Sequence, residues 1–224
     1  GYAEGIFKNF VASNRGPEGC CIASHEFYKT KKSRGFSRGY SMQVLRGAGP
    51  LEIAEKFKNF NKIKFGKNFH KNFFKYFGKS VGIAIICEDL PKKNNSVVLD
   101  YNNLDENKMP GVKINYKLCP NTKKMMKHGL DSAKKVLLKS GANFIYGFGP
   151  VRNTGWHIMG TAKMGVNPNN SVVDKFGKTH DFENLYVVDS SVFVTSAAVN
   201  CMSTIQALAL KITDKIKFSM NSNK

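Results

Sequence analysis

Hydrophobic positions recur at helical spacing in some stretches of this chain and at alternate positions in others. Residues 51–60 (LEIAEKFKNF) put Ile53, Phe57 and Phe60 on one side of a helix. Residues 81–87 (VGIAIIC) form an apolar, β-rich run of strand length, and residues 96–103 (SVVLDYNN) predict a second strand. Residues 111–118 alternate Val112, Ile114, Tyr116 and Leu118 with polar neighbours, the pattern of a half-buried strand, bracketed by Pro110 and Pro120. Asn121 stands where it can cap a helix over residues 122–139, closed by Ser140-Gly141 and striped by Met125, Leu130, Ala133 and Leu137. Strands followed by such a helix predict an α+β layer, an antiparallel sheet with helix cover on one face. The tail reads differently. Residues 184–189 (NLYVVD) predict a short buried strand, and residues 201–218 a helix turning Ile205, Leu208, Ala209, Ile212 and Ile216 toward a core. Strand, irregular loop and helix in that order make the closing unit of an α/β nucleotide-binding fold.

The chain has 224 residues, enough for one core or for one domain and part of another. No apolar run approaches the ~20 residues that span a bilayer, so no membrane span is expected. The net charge is +19, which raises a nucleic-acid partner. Lysine supplies nearly all of it, since arginine stands only at Arg15, Arg34, Arg38, Arg46 and Arg152, and the lysines are scattered. Residues 56–79 alone interleave base and aromatic, with Phe57, Phe60, Phe65, Phe69, Phe73 and Phe77. They fit the buried side of short elements with lysines outside better than a stacking platform for single strands, so no nucleic-acid partner is expected. Five cysteines (Cys20, Cys21, Cys87, Cys119, Cys201) show no metal-ligand spacing, and their odd number favours free thiols in a reducing, cytoplasmic setting. Residues 33–50 are glycine-rich and end in Gly-Ala-Gly-Pro, as suits backbone passing close to other backbone or a ligand; a surface loop is the alternative.

The chemistry concentrates in residues 155–165 (GWHIMGTAKMG). A histidine titrates near neutrality, so His157 can take a proton from a hydroxyl. Gly155, Gly160 and Gly165 let the backbone approach a flat ring. Asn200 lies 43 residues further on, just before the long helix. Its amide cannot act as a base but can orient a hydroxyl, and a simple helix cap is its plainer role. The helix's N–H groups and dipole can stabilise negative charge in front of it.

His157, Gly160, Thr161, Met164 and Gly165 stand as H-x-x-G-T-x-x-M-G, residues 200–205 (NCMSTI) stand where N-P-T-x-T-I would, and Asp189-Ser190-Ser191 is similar to D-G-S. This stretch resembles the C-terminal signature of the glucose–methanol–choline (GMC) oxidoreductases, flavoenzymes that oxidise alcohols. The resemblance implies FAD as cofactor and a small-molecule alcohol as substrate. It makes His157 the catalytic base and Asn200 its orienting partner. It also implies cofactor contacts at Asp189, Ser190, Asn200, Cys201, Met202 and Ser203. Cys201 replaces the family's usual proline, Ser190 a glycine and Val194 a common proline. Residues 171–174 (SVVD) and His180 match structural landmarks rather than catalytic ones. The implied layout is a glycine-rich segment between FAD and substrate domains (1–50), a substrate-binding domain (51–180) and a return into the FAD-binding domain (181–224). No G-x-G-x-x-G turn follows a strand here, so most FAD contacts are expected from an N-terminal FAD-binding half, in the same gene product or a separate subunit. The alternatives are an inactive remnant or scaffold of the same fold and, behind it, a basic nucleic-acid-binding module.

Overall fold

The computed structural model describes residues 1–11, 20–45, 47–59, 64–152, 154–155 and 157–222. Its strands are β1 (Tyr2–Phe7), β2 (Cys20–Ser24), β3 (Tyr40–Leu45), β4 (Ser80–Cys87), β5 (Ser96–Leu104), β6 (Pro110–Asn115) and β7 (Ala142–Phe148). The α-helices are α1 (Pro50–Asn59), α2 (Phe69–Phe73), α3 (Pro120–Lys139) and α4 (Met202–Ser222). Two compact units emerge, each built from two stretches of chain. One holds Gly1–Cys87 and Asn121–Arg152; the other holds Glu88–Pro120 and Asn153–Lys224.

The first unit is an antiparallel five-stranded sheet in the order β2-β3-β4-β1-β7. Alternation along the strands turns Ala3, Tyr40, Met42, Ile83 and Ile85 to one face, where they pack with Met125, Ala133 and Leu137 of α3. The predicted stripe of α3 is the buried one. Gly129 sits within it because a Cβ there would come 2.6 Å from Ile85 Cγ2, so only glycine lets the helix lie this close. Pro120 opens the helix, and Asn121 does not cap it. Its Oδ1 accepts from Ser37 N at 2.8 Å and its Nδ2 donates to Ser37 O at 3.0 Å, tying helix to loop. A second cluster gathers Ile6, Ala48, Ile53 and Phe57 with Phe69, Phe73, Tyr76 and Phe77. Phe57, Phe69, Phe73, Tyr76 and Phe77 therefore pack inward, while Phe65 and Phe74 stay exposed; Phe60 lies outside the described residues. In the glycine-rich segment, Gly39 is the close approach: a Cβ there would stand 1.9 Å from Tyr28 O.

The second unit is sparser in regular structure. β5 and β6 form a two-stranded sheet, pairing Val97 with Ile114 and Leu99 with Val112. Val112 and Ile114 are 69% and 64% exposed, so β6 is not the half-buried strand its alternation predicts. A two-stranded ribbon has no second layer above it, and periodicity alone does not supply one. The strand predicted at 184–189 is also absent. Its amides and carbonyls go instead to an irregular segment, through Thr179 N to Leu185 O (2.9 Å) and Val187 N to Gly177 O (2.8 Å). α4 turns the predicted residues inward, with Ile212 fully buried, and leaves Met202, Leu210, Phe218 and Met220 exposed. Cys87, Cys119 and Cys201 are free thiols. No helix among the described residues is long and apolar enough to cross a membrane.

Candidate active site

The turn bearing His157 is held by its own downstream sequence. Gly160 N donates to Ser190 O (3.2 Å), Ala162 N to Ser191 O (2.9 Å) and Met164 N to Val192 O (2.8 Å), a short ladder over the fully buried Val192. Gly165 N continues it to Val173 O at 2.8 Å. Ser190 Oγ donates to Ile158 O at 2.8 Å, fastening the residue next to the histidine. Gly160 has φ +86°, a left-handed conformation that costs any other residue, and a Cβ there would meet Phe193 O at 3.2 Å. Gly155 has open space around it, and Gly165 faces Ser171, where a Cβ would come 2.9 Å from its Cβ.

The ladder's other strand is a single 3-10 turn, Ser190–Val192. Asp189 begins it by accepting from Ser191 N at 2.7 Å, and hydrogen bonds from the Ser191 side chain and then its backbone hold the Asp189 carboxyl below the usual aspartate range. The chain then passes two anchors. Thr195 Oγ1 donates to Glu88 Oε1 (3.4 Å), and Ser196 Oγ donates to Asp89 O (2.7 Å). Glu88 and Asp89 lie 107 residues upstream of their partners and show no motif, so nothing in the sequence marks them.

These anchors deliver Asn200 to His157. Asn200 Nδ2 lies 3.0 Å from His157 Nε2 across 43 residues, in an exposed position. An amide NH2 can only donate, so Nε2 is the acceptor and the proton of the neutral ring sits on Nδ1. The accepting lone pair of Nε2 is therefore on the side of Asn200. Immediately after comes the N-terminus of α4, whose first intrahelical donor is Ile205 N to Cys201 O at 3.0 Å. The amides of Met202, Ser203 and Thr204 have no acceptor inside the helix, and these residues are exposed, while Cys201 is buried.

The structure thus brings two of the sequence-chosen residues, His157 and Asn200, into contact, with Cys201, Met202 and Ser203 next in line. Asp189 and Ser190 spend their side chains on the ladder beneath the histidine turn. His180 bonds Ser171 Oγ at 3.0 Å, in keeping with a structural role. The exposed donor set at the start of α4 suits an anionic edge of a flat heterocycle, which is what the isoalloxazine of FAD would present.

Residues 91–209 match the family model of the GMC oxidoreductases. The 2-methyl-1,2-propanediol dehydrogenase of Mycolicibacterium austroafricanum is 36% identical over 203 residues, 90% of this chain and 37% of that protein. The 6'''-hydroxyparomomycin C oxidase of Streptomyces lividus is 34% identical over 139 residues, 60% of this chain and 24% of that protein. The large subunit of fructose dehydrogenase from Gluconobacter japonicus is 28% identical over 151 residues, 67% of this chain and 28% of that protein. The chain spans between 24% and 37% of the length of these relatives. With more than half of its residues inside the family model, the chain belongs to the GMC oxidoreductase family.

Proposed function

We propose that this chain is the C-terminal part of an FAD-dependent enzyme that oxidises an alcohol. The contact between His157 Nε2 and Asn200 Nδ2, at the mouth of α4, carries the reading. FAD, when bound, supplies the acceptor for the hydride that leaves the substrate carbon. His157 takes the hydroxyl proton on Nε2 once the substrate oxygen has displaced the Asn200 amide from that nitrogen's lone pair. Asn200 donates its amide N–H to the substrate oxygen and fixes the hydroxyl toward that nitrogen. The amides of Met202, Ser203 and Thr204 would face the cofactor's pyrimidine edge and stabilise negative charge there. Asp189 and Ser190 would lie toward the ribityl and pyrophosphate region.

In this reading residues 51–180 are the substrate-binding portion, residues 1–50 pack between it and the cofactor portion, and residues 181–224 return into the FAD-binding portion. An N-terminal half supplies the remaining cofactor contacts. The names of the relatives, a 2-methyl-1,2-propanediol dehydrogenase and a 6'''-hydroxyparomomycin C oxidase among them, support a CH–OH donor. The test is the absorbance spectrum of the chain alone and after co-expression with a flavin-binding half. Flavin retained in the pair, with alcohol-dependent bleaching lost in His157→Ala, is the expected result. No flavin in either sample would overturn it and leave an inactive remnant of the fold.

A further inference from the structure

The basic-aromatic segment around α1 and α2 takes no part in the chemistry above. From Lys56 to Lys79 the sequence has eight lysines and no acidic residue. Lys58, Lys64, Lys67, Lys71 and Lys75 are all exposed. Beside them, Leu51, Phe65 and Phe74 stand 88%, 70% and 62% exposed. Leu51 and Phe74 line a shallow apolar hollow of about 200 Å3 whose floor is Ala54, Phe69 and Phe73. Glu52 and Glu55 stand exposed beside Leu51, with Lys56 Nζ at 2.6 Å from Glu52, so the patch is basic on balance and not of one sign. Large apolar side chains on such a patch suit a partner that is apolar and rimmed by negative charge.

We infer that this surface docks on an anionic lipid bilayer. The lysines face the phosphate layer, and Leu51, Phe65 and Phe74 enter the boundary between headgroups and acyl chains. Charge complementarity selects a polyanion, and the aromatic arrangement selects lipid over nucleic acid. Base stacking needs free ring faces. Here the rings occupy one another: Phe65 stacks on Phe69 at 5.1 Å, Phe69 on Phe73 at 6.1 Å and Phe73 on Phe77 at 5.0 Å. Phe57 stacks on Tyr76 at 4.2 Å, and Lys58 Nζ lies over the Phe65 ring at 5.4 Å. Phe74 meets Phe73 edge-on at 5.4 Å, so a single exposed ring outside these stacks stands beside aliphatic carbon, too little for a run of stacked bases and a surface acyl chains accept.

The test is co-sedimentation of the full chain with vesicles of pure phosphatidylcholine or of equal parts phosphatidylcholine and phosphatidylglycerol. Binding is expected to the mixed vesicles, to weaken as salt is raised, and to be slight with phosphatidylcholine alone. Lys67→Gln/Lys71→Gln/Lys75→Gln should weaken it about a hundredfold, at about fivefold per lysine near an anionic surface. Leu51→Ser/Phe74→Ser should also weaken it, with an unchanged melting temperature because both positions are exposed. Equal binding by the lysine variant, or no binding to mixed vesicles, overturns the inference. So does full binding by the Leu51/Phe74 variant with displacement by a single-stranded oligonucleotide, which would reassign the surface to nucleic acid.

Discussion

The sheet-and-helix unit and the loop-built unit of this chain hold themselves together in opposite ways. In the first, side chains make the structure: Ala3, Tyr40, Met42, Ile83 and Ile85 lock onto α3, and hydrogen bonds follow from the strands. In the second, backbone and short polar side chains fix residues 157–200, with Val192 among the few large residues fully buried beneath them. Area-driven packing is strong and non-directional. Directional bonds are weaker singly but set position. The candidate site sits in the unit held by directional bonds.

The comparison says that losing His157 should destroy activity and leave the fold intact, and this is the largest effect expected. In the assembled enzyme His157→Ala should lower kcat by about 10²- to 10⁴-fold, the usual worth of a positioned base. Urea unfolding should barely change, because its side chain is exposed and bonded to Asn200 alone among the described contacts. A large loss of stability would make the histidine a structural pin and erase the contrast.

The reverse behaviour belongs to Leu137. It is 2% exposed on α3, against the sheet. Leu137→Ala should cost about 2–5 kcal/mol in a urea titration. Cofactor-linked kinetics in the surviving folded fraction should be nearly normal.

What could be read in advance follows the same division. α3 was legible from its apolar stripe, of which Met125, Ala133 and Leu137 are buried and Leu130 half-buried; Gly129, buried on the same face, is not part of that pattern. β4 was legible because it is apolar on both sides. β1 was not, since YAEGIF carries a glutamate and a glycine where strands seldom do. Its Glu4 is fully buried and held by tertiary partners, Tyr146 Oη donating to Oε2 and Lys56 Nζ at 3.2 Å from the same oxygen. No local pattern announces such a pairing. The alternation of residues 111–118 marked a strand, but β6 includes Pro110, stops at Asn115 and leaves Tyr116 and Leu118 outside it, and the pattern could not say that Val112 and Ile114 would lie uncovered. As candidates, His157 and Asn200 were legible from residue type and resemblance. Their contact was not, because it depends on a ladder between residues 160–164 and 190–192 that has no period.

Gly160 offers a finer probe of that ladder. At φ +86°, Gly160→Ala should cost about 1–2 kcal/mol for the left-handed backbone, more where Phe193 O fails to move from its 3.2 Å approach. The useful readout is kcat in the assembled enzyme. If bonds to Ser190 and Ser191 position His157, kcat should fall by more than the loss of folded protein explains. A fall matching the unfolded fraction would mean the histidine finds its place without the ladder.

The smallest effect belongs to Asp189. Its folded-state carboxyl is depressed by hydrogen bonds from the Ser191 side chain and, less, its backbone. A depressed carboxyl contributes stability that is present above the unfolded aspartate value, near 3.9, and lost as pH falls through the lower folded value. The group is largely open to water, so screening keeps the contribution under about 1 kcal/mol. Urea midpoints of the chain and of Asp189→Asn, measured from neutral pH into the acid range, should therefore differ slightly at neutrality and converge below the ordinary aspartate pKa. Curves separated by a constant amount at every pH would assign the effect of the substitution to lost packing instead of lost charge. The polar unit would then rest on the same kind of force as the apolar one.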